Sequence, residues 1–183
     1  MRAQQLFAHG RPQLEALWRR LTPAWQMTWA HMAARTAGRS SATLTVIAPP
    51  ADAASPFAQL ISTLLQHNLQ ADPGRAQCAP QRPVRVALLA TDLNKAATLA
   101  FAPGKLAVHA GIVGIPDLTI KADSEDILAM SRLPLTTPWR LPDVRQAAWH
   151  ELLQRQRQGR VQMHGLWRHP QVALALLQLM SVH

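Results

Sequence analysis

The stretch that most restricts the fold is GRVQMHGLWRHPQVALALLQLM, residues 159–180. It reads as a strand, a short turn and one apolar helix. Val161 and Met163 share one face of a period-two strand that runs out at Gly165, with Arg160, Gln162 and His164 on the other face. Pro170 suits the first helical position, where its missing N–H is no loss. From Val172 to Met180 only Gln178 is polar, and Gln171, one heptad earlier, shares its narrow stripe. A helix apolar nearly all round must be buried on several sides. This one is too short to cross a bilayer. It closes a core or roofs an apolar cavity.

The chain leading to it alternates between helical and strand periods. Residues 12–21 and 23–36 read as two short helices, the first with Leu14, Leu17, Trp18 and Leu21 on one side. Thr22 caps the second and Pro23 opens it. Trp25, Trp29 and Met32 continue the apolar stripe, with Arg19, Arg20 and Arg35 around it. Such a stripe packs on the domain body or on a second copy of the chain, giving a homodimer. Alternatively it lies in an anionic membrane interface, with Trp18, Arg19, Arg20, Trp25 and Trp29 as the contacts. Residues 41–54, carrying Pro49 and Pro50, read as a linker with room for a short strand over 43–47. Ser55 and Pro56 then start a clear helix. Phe57, Leu60, Ile61, Leu64 and Leu65 follow its apolar face, Asn68 is the polar exception, and Asp72, Pro73 and Gly74 end it.

Residues 84–90, 96–101, 106–110 and 117–122 read as strands. Pro103-Gly104 suits a type II turn, which is not the favoured two-residue hairpin, so a slightly longer loop is predicted there. Residues 111–116 read as a flexible or bulged link. Ser124 caps a short helix with Glu125 and Asp126 in its first turn, and Pro134 ends it. A loop follows around Trp139. Asp143 caps a longer helix to about Gln158, with Ala147, Ala148 and Leu152 on its buried side. Strands followed by helices predict an α+β fold: a single, mostly antiparallel sheet of about five strands with helices covering one face, preceded by a helical extension. The expected boundaries are 1–40 for the basic extension, 41–54 for the linker and 55–183 for the sheet-bearing domain.

Charge and composition narrow the chemistry. The net charge of +9 favours polyanions or the anionic face of a bilayer, though a general bias toward Ala, Arg and Pro accounts for it as readily. The single cysteine, Cys78, excludes an intrachain disulfide and fits a reducing, cytoplasmic compartment. No apolar run marks a leader or a membrane span, so the expected location is cytoplasmic, with peripheral attachment to the inner membrane through the basic helices. His150-Glu151 begins a zincin-like pattern, but Gln154 stands where its second histidine belongs. His164 and His169 have no further ligands near them, so no metal is expected. Asp123, Glu125 and Asp126 are explained as helix-start acids. Gly111 and Gly114 lack the third glycine and helix of a phosphate loop. Neither a catalytic group nor a cofactor site can be assembled. Nucleic acid is a second-rank partner: Arg155, Arg157, Arg160 and Arg168 suit phosphates, but tyrosine is absent and the tryptophans follow helical spacing, not a sheet platform.

The segment over residues 84–180 resembles the sterol carrier protein type-two family of small lipid carriers. The resemblance is carried by Gly159 and Arg160 opening an alternating strand, Gly165 closing it, and the apolar helix after Pro170. The strand at 116–122 and the helix start at Ser124 fit as well. The chain is longer than the family pattern between Leu133 and Gly159, and the segment before Ser40 lies outside it. The resemblance implies a non-catalytic domain that binds a lipid (an acyl chain, an isoprenoid or quinone precursor, or a sterol-like molecule) in a tunnel between sheet and helices. Similar domains occur in accessory factors of ubiquinone synthesis. On that reading the walls are Leu118, Ile120, Ile127, Met130, Val161, Met163, Val172, Leu176 and Met180. The alternative is that the same residues meet and fill an ordinary core.

Overall fold

The computed structural model describes residues 43–50, 55–133, 135–136, 141–142 and 146–181. The two N-terminal helices, with Trp18, Arg19, Arg20, Trp25 and Trp29, lie outside the described residues, as do Asp143 and Trp139. The strands are β1 (Thr45–Ile47), β2 (Val84–Ala90), β3 (Lys95–Ala102), β4 (Lys105–Ala110), β5 (Leu118–Ala122), β6 (Leu135–Thr136), β7 (Leu141–Pro142) and β8 (Gln162–His164). The helices are α1 (Pro56–Ala71), α2 (Ser124–Ser131), α3 (Ala147–Arg157) and α4 (Pro170–Met180), with a 3-10 turn at Pro73–Cys78.

Alternation along the central strands decides which face is covered. Val84, Val86, Leu88 and Ala90 of β2 are buried, as are Ala97, Leu99 and Phe101 of β3, Leu106 and Val108 of β4, and Leu118, Ile120 and Ala122 of β5. They join one apolar cluster with Phe57, Ile61 and Leu65 of α1 and with the inner side of α4. Helix α1 packs over β1, β3 and β4, and α4 packs against α1, the 3-10 turn and α2. Each fully buried Leu or Ile contributes roughly 1.5–3 kcal/mol relative to exposure, so this single face holds the fold together.

The sheet is six-stranded in the order β1-β4-β3-β2-β5-β8. Three of its pairings are antiparallel, β3 with β4, β2 with β3 and β5 with β8, while β1–β4 and β2–β5 are parallel. The α+β class with a mostly antiparallel sheet therefore holds. The extra strand is β1, which lies in the stretch read as a linker and pairs Val46 with Leu106.

Several local expectations are corrected. The β3–β4 connection is a two-residue turn, because Ala102 pairs directly with Lys105. Gly104 at φ 69 supplies the left-handed position that such a turn needs. Helix α2 has Asp123, not Ser124, at its N-cap, and the Ser124 N–H is held instead by Asp92 Oδ1 at 2.8 Å. In α3 Leu152 is buried and Ala148 partly so, but Ala147 is exposed.

The link after β4 has a definite path. Strands β4 and β5 point the same way with β3 and β2 between them, so residues 111–117 must cross the sheet. They cross the face opposite the one that the described helices cover. Thr98 Oγ1, on the outward side of β3, donates to the Gly111 carbonyl at 2.7 Å and accepts from the Val113 N–H at 3.0 Å. At the far end the Asp117 N–H donates to Arg85 O at 2.8 Å, and Asp117 Oδ2 accepts from the Arg85 N–H at 2.9 Å. The link is pinned at both ends, not loose.

Candidate functional site

Helix α4 is the element around which the candidate site is built. Pro170 occupies its first turn, and every residue from Val172 to Met180 except Leu177 is buried. Its C-terminal carbonyls end inside the protein, where unmatched acceptors would be costly. Side chains from far upstream meet them. Asn68 Nδ2, at the end of α1, donates to Leu179 O at 3.0 Å and Met180 O at 2.7 Å. The buried Arg75 guanidinium donates to Gln178 O at 3.3 Å and also reaches Ser181 O. A cation at this end opposes the helix dipole. Asp72 stands 3.4 Å from Arg75, and Ser181 Oγ donates to Leu133 O at 3.1 Å. Asn68, the polar exception on an apolar face, is thus a cap for a different helix. Arg75 was missed altogether, because nothing local in the sequence marks a partner a hundred residues away.

The residues read as cavity walls come from four places. Leu118 and Ile120 point from β5, Ile127 and Met130 from α2, Val161 and Met163 from β8 and its entry, and Val172, Leu176 and Met180 from α4. All belong to one apolar cluster, buried except for Met163, which is partly exposed and packs against it. That cluster is the core of the whole domain, shared with α1 and with strands β2 to β4. The closeness of β8 to β5 depends on Gly165, which has φ 88 and whose α-carbon lies so near the Asp117 carbonyl that a Cβ could not be accommodated.

Two arginines close this end. The Asp126 carboxylate is 1% exposed; its Oδ1 accepts from Arg155 Nη1 at 2.7 Å, and its Oδ2 stands 3.3 Å from Arg160 Nη2. Arg155 also lies 3.9 Å from Glu151, and Arg160 lies 3.8 Å from Asp123. Asp126 is therefore more than a helix-start acid: it fastens α3 and the turn before β8 to α2. The arginines read as phosphate-facing are, in these two cases, engaged by carboxylates. Asp92, capping α2 through Ser124, has its pKa held below the ordinary carboxylate value by the Ser124 hydroxyl and N–H. His169 Nε2 stands 3.8 Å from Asp117 Oδ1, while His164 is exposed on β8. Among the described residues no group of three or more His, Cys, Asp or Glu is placed to hold a metal. No helix among them is long and apolar enough to cross a membrane.

A half-open groove of about 320 Å³ is lined by Thr43, Leu44, Leu69, Pro73, Gly74, Ala76 and Gln77. None of the wall residues borders it. It is bordered by the end of α1 and by the 3-10 turn that carries Arg75.

No family model matches the chain, and no curated protein matches it. Among solved structures it is similar to a protein described as "UbiJ-SCP2 Ubiquinone synthesis protein", at 16% identity and a TM-score of 0.44. The likeness covers 67% of this chain and 94% of that one.

Proposed function

We propose that the protein binds a lipid in the apolar interior beneath α4 and carries it without catalysis. The observation that supports this most is that Leu118, Ile120, Ile127, Met130, Val161, Met163, Val172, Leu176 and Met180, from β5, α2, β8 and its entry, and α4, all lie in or against the domain's one apolar core cluster. A ligand enters as α4 and α2 part from the sheet, with Met130, Met163 and Met180 adapting to its shape. Burying an acyl or isoprenoid chain gains about 0.8 kcal/mol per methylene, so apolar walls suffice without polar chemistry. The caps on the last turn of α4 make that end the hinge. The Pro170 end, which lacks a side-chain cap, is the one that opens.

Apolar walls of this kind suit a long hydrocarbon chain. A polyprenyl quinone precursor, which would make the protein an accessory factor in ubiquinone synthesis, is one such cargo, and fatty acyl or sterol-like molecules are others. Titration with an environment-sensitive fluorescent fatty acid tests the reading. Saturable binding near one probe per chain, displaced by unlabelled oleate or a polyprenol, is expected. Linear, non-saturable uptake would reject it.

A further inference from the structure

We infer that the open face of the sheet is a docking surface for an anionic lipid bilayer, with the crossover at residues 111–117 as its apolar wedge. The crossover places Ile112, Val113 and Ile115 in solvent at 56%, 42% and 87% exposure. Large apolar side chains so exposed, and adjacent in one segment, are unusual on a surface that meets only water. Their backbone is not free to turn them inward. Thr98 fixes Gly111 and Val113, Arg85 fixes Asp117, and the Arg85 side chain lies against Gly114, itself at φ 71. Trp167, 68% exposed, stands in the turn whose Gly165 packs on Asp117, two residues from Ile115. Tryptophan suits the headgroup layer, where one side of the ring is apolar and the other wet.

Charge selects the partner. The sheet's strands contain Arg85, Lys95, Lys105 and Lys121 and no Asp or Glu. Arg85, Lys105 and Lys121 alternate with buried residues, so they stand on the open face, to either side of the diagonal crossing. Asp117, at the end of the crossover, accepts from the Arg85 N–H and stands 3.8 Å from His169. An apolar wedge ringed by cations matches a bilayer with anionic headgroups. It does not match a nucleic acid, because the outward positions of β2 and β3 are Arg85, Ala87, Leu89, Ala96, Thr98, Ala100 and Ala102, which offer no ring for a base to stack on. The surface stands whether or not the interior holds a lipid.

Vesicle flotation of the full chain tests this, using phosphatidylcholine alone and phosphatidylcholine with phosphatidylglycerol. Binding is expected to the anionic vesicles and to fall at least tenfold in Ile112→Ser/Val113→Ser/Ile115→Ser. Lys105→Glu/Lys121→Glu should remove the preference for anionic lipid. The substituted side chains are exposed, so thermal unfolding and fatty-acid titration of both variants should match the parent chain. The inference is overturned if the parent does not float, or if the triple-serine variant floats equally well. It is also overturned if binding is lost only in Trp18→Ala/Trp25→Ala/Trp29→Ala, or if the face retains salt-sensitive binding to single-stranded nucleic acid and not to vesicles.

Discussion

Asn68 and Met180 are joined by a 2.7 Å hydrogen bond that spans 112 residues of sequence. The amide nitrogen also serves Leu179 at 3.0 Å, so one side chain on α1 satisfies two carbonyls at the buried end of α4. That bond ties α1 to α4, the last helix of the chain.

Asn68→Ala is expected to destabilise the domain by about 2 kcal/mol, since it strands buried acceptors. Asn68→Asp should cost more, because a carboxylate would face carbonyls at the negative end of a helix dipole. Urea denaturation measures both. A loss below about 0.5 kcal/mol for the alanine variant would show that the cap is dispensable.

Gly165→Ala and Gly159→Ala form a matched pair. Both positions have positive φ, but only at Gly165 would the new methyl meet backbone, the Asp117 carbonyl, whereas nothing lies within 4 Å of the position at Gly159. Conformational strain alone predicts about 1 kcal/mol for Gly159→Ala. Gly165→Ala adds a clash between β8 and β5 and should lose roughly 3 kcal/mol or more. Equal losses in thermal unfolding would mean that the close approach does not matter.

Asp126→Ala should cost about 3 kcal/mol, the lower end for breaking a buried ion pair. The cost is limited because Arg155 and Arg160 are partly exposed and can turn to water. A double-mutant cycle with Arg155→Ala should return a coupling above about 1 kcal/mol. Strict additivity would contradict the pairing.

The pH dependence has a definite sign at Asp92. Its pKa is lowered in the folded chain by bonds to Ser124, so the folded state binds its proton less readily than the unfolded state does. Its contribution is present above the unfolded value of about 3.9 and is lost as pH falls through the folded one. Below about pH 4, Asp92→Asn should therefore lose stability less steeply than the parent chain. Parallel acid-unfolding curves would contradict the capping role.

Elements whose pattern is local were legible in the sequence. The alternation in β2 through β5 and the i, i+3, i+4 spacing of α1 gave strands and helix within a residue or two, because one buried face imposes its period on the chain. The apolar circumference of α4 announced deep burial. What escaped is what depends on distant partners. Nothing in Thr45–Ile47 says that it pairs in parallel with β4, and nothing in residues 111–117 says that they traverse a sheet. Asp126 looked like a dipole-matching acid because its arginines arrive 29 and 34 positions later, and Asn68 looked like a blemish because its carbonyls lie on α4. The residues read as walls were legible as apolar positions, and the structure places them in or against the one core cluster.

Native mass spectrometry of the full chain, purified without detergent, tests lipid carriage most directly. The prediction is a population shifted by the mass of one lipid, released on activation and identifiable in the organic extract. A chain that flies only at its unliganded mass, with an extract containing no lipid above the level of a control protein, would contradict it.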